Sequence, residues 1–196
     1  MTTGVLLPMT LMTRSESTDR LTAALARDLD GTFPAVVRQH QNGLYSGALR
    51  MLGNPHDAED VVQEALVCAY RALEGYNADR IGALRLPGWL WTITANLCRN
   101  RIRSRARRPE SSLPGEDPAA AGPGPEDTAL SEAGEEALAG LLMDLPFAMR
   151  SAIVLHHVVG LPYEEISAAL DRPPATIRSD VHRGLARLRT ALEEAS

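Results

Sequence analysis

Residues 161–192 read LPYEEISAALDRPPATIRSDVHRGLARLRTAL, two apolar-patterned segments separated by a short break. Ile166 and Leu170 give Pro162 to Leu170 the spacing of a short helix. Asp171 to Pro173 interrupt it, and Pro174 suits the first position of a longer helix running to about Glu193. A short helix, a turn of three or four residues and a longer helix with a polar side make a helix-turn-helix. In the longer helix Thr176, Ser179, Arg183 and Arg187 fall at i, i+3, i+7 and i+11, with His182 beside them. Ile177, Val181, Leu188 and Leu192 take the opposite stripe and are expected to pack on Ile166 and Leu170. A helix divided in this way fits a major groove, where Arg reads guanine and Ser or Thr reads either base type. A solvated face on an ordinary helical hairpin has the same pattern, so spacing alone leaves both readings open.

Working back from this stretch, a helix is expected from Pro146 to about Val158, stopped by Gly160, and an acidic one from Thr128 to Asp144. Residues 109–126 contain five prolines and three glycines. Such a segment cannot hold a helix and reads as an extended linker, reaching roughly 55 Å at about 3.1 Å per residue. Before it lie three principal helices. The first runs from about Phe33 to Leu52, with Phe33, Val37, Leu44, Ala48 and Leu52 inward and Gly53 as its stop. The second starts at Asn54-Pro55, a cap followed by a proline suited to the first turn, and continues to about Glu74. The third runs from about Gly88 to Arg107, and Gly75 to Pro87 is expected to be irregular. No segment alternates as a strand does. The expectation is an all-α chain of two small helical domains joined by a flexible linker.

Composition narrows the function. The 196 residues are 44% hydrophobic and 23% charged, which excludes a wholly disordered chain. No charge-free stretch nears the roughly 18 residues of a membrane helix, and Val5 to Met12 lacks the basic leader of a signal peptide. Cys68 and Cys98 have no second pair, so neither a disulfide framework nor a zinc module is indicated. A cytoplasmic protein without membrane insertion is expected.

The net charge of −5 conceals segregation. Residues 31–108 carry 11 Arg against 6 acids, residues 109–145 carry 9 acids and no base, and all 20 basic residues are Arg. Arg donates two hydrogen bonds at once to phosphate, although codon bias also explains the absence of Lys. Arg99, Arg101, Arg103, Arg105, Arg107 and Arg108 end the third helix, and with Arg80 and Arg85 they create a field suited to a phosphate backbone. Trp89 and Trp91 lie just upstream, where core packing and stacking on an unpaired base are both open readings. Asp57, Asp60 and Glu64 share one face of the second helix with Gln63 adjacent. Acids early in a helix complement its dipole, and a carboxylate face also suits an Arg-rich partner. Ligand spacing for a metal is lacking. His156-His157 lie in an apolar stretch without an HExxH arrangement, and there is no phosphate loop or nucleophile motif. No catalytic residue, metal or cofactor is expected.

Taken together, these segments resemble a bacterial RNA polymerase sigma factor of the extracytoplasmic-function (ECF) group of the sigma-70 family. Asn54-Pro55-His56-Asp57-Ala58-Glu59-Asp60-Val61-Val62-Gln63-Glu64 is similar to region 2.2, which docks on the clamp helices of core RNA polymerase. Trp89-Leu90-Trp91-Thr92-Ile93-Thr94-Ala95-Asn96 and the Arg-rich helix after it resemble regions 2.3 and 2.4, which melt and read the −10 element. Leu145-Pro146, Arg150, Tyr163-Glu164-Glu165-Ile166 and Thr176-Ile177-Arg178-Ser179 resemble region 4, which binds the −35 element.

The resemblance implies a transcription initiation factor rather than an enzyme. It divides the chain into an extension over 1–30, region 2 over 31–108, an acidic linker over 109–137 and region 4 over 138–196. It implies that Asp57, Asp60, Gln63 and Glu64 contact the β′ clamp helices. Arg80, Arg85, Asn96, Arg99, Asn100 and Arg103 would face the −10 DNA, with an extruded base received by the 77–86 loop. Arg150, Thr176, Arg178, Ser179, His182, Arg183 and Arg187 would meet the −35 duplex. It also implies an anti-sigma factor as a partner. Asp180, Leu185 and Pro173-Pro174-Ala175 depart from the family pattern. An acid at 180 is expected to repel phosphate, so Asp180→Arg is expected to strengthen duplex binding. Two other readings remain: a stand-alone helix-turn-helix regulator, and a helical protein whose basic patch meets an acidic protein.

Overall fold

The computed structural model describes residues 20–107 and 137–194. Among them every regular element is helical. After a short helical stretch at 20–25 come α1 (Leu29–Leu52), α2 (Pro55–Glu74), α3 (Ala78–Gly82) and α4 (Leu86–Arg107). A helical stretch at 137–143 opens the second half, followed by α5 (Phe147–Ile153), α6 (Tyr163–Leu170) and α7 (Pro174–Glu194). The expected linker and most of the expected acidic helix at 128–144 lie outside the described residues.

The helix starts follow local capping. The Asn54 side chain accepts a hydrogen bond from the Asp57 amide at 2.9 Å, and Pro55 occupies the first turn of α2. α1 begins four residues before the expected Phe33 because Asp28 caps it, accepting from Gly31 N at 3.0 Å; Pro34 therefore lies inside the helix. The segment expected to be irregular contains α3, capped by the Asn77 side chain on Arg80 N at 2.8 Å. α5 continues into a π-helical turn over Val154–Val158, closed by Val159 N donating to Val154 O at 3.0 Å. Gly160, at φ 81°, then ends the segment.

α1, α2 and α4 pack together as one bundle, and α5, α6 and α7 as another. Leu44, Met51, Val61, Leu73, Leu90 and Trp91 fill the first, and Leu155, Ile166, Ile177 and Val181 the second. Each buried Leu or Ile stabilises the fold by about 2 kcal/mol through the apolar surface it removes from water. Glycines mark points of close approach. A Cβ on Gly184 would lie 2.5 Å from Ile153 Cδ1, and one on Gly47 would overlap the Trp91 ring. Trp91 is thus a core residue. α4 also packs directly on α6, so one continuous hydrophobic cluster crosses from the first bundle to the second. The two domains share a core where separately folded parts were expected.

Candidate nucleic-acid interface

The turn of the helix-turn-helix is compact. Asp171 takes the left-handed conformation at φ 51°, its amide bonded to Ser167 O, and Ser167 Oγ donates to Arg172 O at 2.6 Å. Thr176 N and Ile177 N both donate to Pro173 O, so the Pro173-Pro174 pair starts α7 in regular geometry. Ile177, Val181 and Leu188 are buried as expected, whereas Leu192 is exposed in the last turn. On the opposite side Arg178, Ser179, His182, Arg183 and Arg187 are exposed and Thr176 is half-buried. The polar stripe is therefore presented outward. Arg178 is held lightly, 3.5 Å from Glu164 and 5.4 Å from the Tyr163 ring centroid.

Two residues of this region stand elsewhere than expected. Arg150 is 5% exposed, and its Nη1 donates to Met143 O at 2.8 Å and to Leu142 O and Leu145 O at longer range. It closes the carbonyl end of the 137–143 stretch, so its guanidinium is occupied within the protein. Asp180 is also buried, 2.5 Å from Arg172 Nη1 and 2.8 Å from Arg183 Nη2. It faces the protein, so the expected repulsion of phosphate does not arise from it. His156 stacks on Tyr163 and its Nδ1 lies 3.1 Å from Leu161 O, a packing role.

In the first bundle the arginine run splits by helix geometry. Successive residues turn by about 100°, so arginines at every second position alternate sides. Asn96, Asn100, Arg103 and Arg107 share one exposed face, and Asn100, Arg103, Ser104 and Arg107 line an open polar concavity of about 450 Å³. Arg101 and Arg105 lie on the other side, against α2. Arg101 is 3.1 Å from Asp57 and 3.4 Å from Asp60, and Arg105 is paired with Asp57. Gln63 and Glu64 on α2 are exposed, Asp60 is half-exposed, and Asp57 is buried. The acidic face thus divides into an inner acid and an outer group. Arg80 lies 3.6 Å from the Tyr76 ring centroid, and Tyr76 packs on half-buried Trp89. Tyr76 went unremarked in the sequence, where the signal was an aromatic beside a helix cap and a nearby Arg. Arg85 and Arg99 turn toward the second bundle: Arg85 is 3.2 Å from Glu165, and Arg99 donates to Leu170 O at 2.9 Å.

Among the described residues no group of three or more His, Cys, Asp and Glu is arranged for a metal. None of the described helices is long and apolar enough to cross a membrane. Cys68 and Cys98 are free thiols; burial pushes Cys98 up to about 12.

Family models for sigma-70 region 2 and sigma-70 region 4 match residues 36–108 and 135–188. The ECF RNA polymerase sigma-E factor of Escherichia coli K12 is 36% identical over 160 residues, covering 77% of this chain and 81% of that protein. The chain belongs to the ECF group of the sigma-70 family. This ECF sigma factor is also 37% identical over 168 residues to SigE of Mycolicibacterium smegmatis; the match covers 84% of the chain but only 63% of that relative. SigW of Bacillus subtilis is 31% identical over 173 residues, covering 83% and 89%. The solved structure of CnrH in complex with the cytosolic domain of CnrY matches at TM-score 0.64 and 25% identity, covering 91% of this chain and 98% of that one. The sigma factor is a transcription initiation factor, and the exposed stripe of α7 belongs to its DNA-binding region 4.

Proposed function

We propose that this sigma factor directs core RNA polymerase to promoters by three contacts. The outer carboxylate group of α2, with Gln63, Glu64 and the half-exposed Asp60, docks on the β′ clamp helices. Asn96, Asn100 and Arg103 meet the −10 element, and the loop holding Tyr76, Arg80 and Trp89 receives an extruded base. An aromatic with a cation beside it suits stacking on an unpaired base. The exposed stripe of α7, with Thr176 at its start, lies on the −35 duplex. The observation that carries this reading is the outward stripe of Arg178, Ser179, His182, Arg183 and Arg187, held by a buried Ile177-Val181-Leu188 side.

The two DNA contacts demand separation of the domains. Elements about 25 base pairs apart lie roughly 85 Å apart at 3.4 Å per pair. In the packed form Arg99, on the helix that carries the −10 face, donates to Leu170 O at the end of α6, four residues before α7 starts, so the two DNA faces are held on neighbouring helices rather than that far apart. The packed form is a closed state that opens on promoter engagement. CnrH is described in complex with CnrY, and a cognate anti-sigma partner that holds the closed state fits this chain.

Reconstituted transcription tests the proposal. Core polymerase plus the full chain is expected to initiate on a subset of genomic fragments, and Glu64→Arg to abolish both recruitment and initiation. Duplex binding by the chain alone, with no complex with core polymerase, would favour a stand-alone regulator.

A further inference from the structure

The acidic face of α2 resembles one docking surface in the sequence, yet its members stand in different surroundings. Asp57 has a side chain only 12% exposed, hemmed in by Arg101 and Arg105 from α4. Glu64 and Gln63, two turns further on, are exposed. We infer that Asp57 is a positioning residue for −10 recognition, which holds the basic end of α4 against α2, and not a contact to the polymerase. The inference rests on the reading of α4 as the −10 surface.

The end of α4 needs such an anchor. Burial of apolar side chains along this helix ends at Cys98, and beyond it Ile102 is half-buried while 103–107 are all exposed. Nothing apolar fixes the last turn and a half, and a helix end without packing frays. That same end carries Arg103 and Arg107 on its outer face. The ion pairs from Arg101 and Arg105 reach back to Asp57, whose own position is set by the Asn54 cap at the start of α2. An ion pair with one buried partner is worth more than an exposed one, because water and salt screen it less. Fixing Arg101 and Arg105 inward also fixes Arg103 and Arg107 outward, since the two sets lie about 150° apart at about 100° per residue.

The test uses the full chain with core polymerase. Asp57→Asn is expected to leave affinity for core polymerase within about twofold, while lowering holoenzyme affinity for a −10 fork-junction DNA about tenfold. Amide hydrogen exchange over 99–107 should accelerate in the free chain. Asp57→Glu should restore most of the DNA affinity, and Arg105→Gln added to Asp57→Asn should cost little more, because both remove one interaction. An Asp57→Asn protein that loses core affinity as Glu64→Gln does, with fork binding and exchange unchanged, would overturn the inference. If the unmutated holoenzyme fails to bind the fork DNA, the reading of α4 fails; the exchange experiment still decides the anchor.

Discussion

Asp180 shows how little a residue type says without its direction. In sequence it interrupts a row of polar side chains; in the structure it is buried between Arg172 and Arg183, 3% exposed. Its partners Arg172 and Arg183 are 29% and 58% exposed, so its carboxylate orders cations beside the polar stripe of α7. Replacing it with Asn strands Arg172 beside a neutral amide and is expected to destabilise the protein by about 2 kcal/mol, less than for a fully buried pair because both arginines retain water. Thermal melting should show a fall of roughly 4–8 °C for a chain of this size. Asp180→Arg is expected to melt lower still and to bind duplex no better. Arg150 carries the same lesson. A lone Arg after Leu-Pro is silent on whether it meets phosphate or carbonyl, and three carbonyls at a helix end decide it. Periodicity supplied the stripe of α7 because hydrophobic partners fix that helix's rotation. It could not sort Asp57 from Glu64, which lie seven residues apart on nominally the same face and differ only in what α4 brings against them.

At the level of elements, caps and stops were the most legible signals. Asn54-Pro55, Gly53 and Pro174 each perform locally the role their chemistry suggests. Two starts fall earlier than expected, Leu29 for Phe33 and Leu86 for Gly88, and in both a proline, Pro34 and Pro87 respectively, is accommodated within the first two turns. The π turn at 154–158 left no mark in the pattern, since one extra residue per turn is invisible in an unbroken apolar run. α4 carries a further measurable consequence. Cys98 sits on its buried side, where desolvation holds the thiol protonated up to about 12 against an ordinary 9.0. The unfolded chain releases that proton first, so stability is full below pH 9 and declines as the pH rises from about 9 toward 12, approaching about 1.4 kcal/mol per pH unit. At pH 8 a thiol reagent is expected to modify half-buried Cys68 in the folded protein and to reach Cys98 only on unfolding. Mass spectrometry of the labelled peptides checks this; equal labelling at both sites would mean that α4 opens readily.

The whole molecule presents a seam between its two halves, and the seam has a weak and a strong component. The Arg85–Glu165 pair is a surface contact, Arg85 being 80% exposed, and contributes about 0.5 kcal/mol at most. The strong component is the apolar packing of α4 on α6, which Gly88 permits: a Cβ there would lie 2.6 Å from Glu165 Oε2 and 3.3 Å from its Cβ. A larger side chain at 88 therefore wedges the α4–α6 contact, where the shared core crosses from one bundle to the other. Gly88→Leu is expected to raise the radius of gyration in solution scattering and to lengthen the distance between dyes at Ala186 and Arg38, both exposed and on opposite halves. Gly43→Leu, where nothing lies within 4 Å, supplies the matched control. On the proposed reading that promoter engagement separates the domains, free energy removed from the closed state favours the open one. Affinity of the holoenzyme for a promoter should then rise, by about tenfold for each 1.4 kcal/mol of seam energy lost. High salt alone should produce only a small part of the change, since it weakens the exposed pair and strengthens apolar contact. An unchanged scattering curve for Gly88→Leu, with the control also unchanged, would show that packing at this glycine does not hold the halves together.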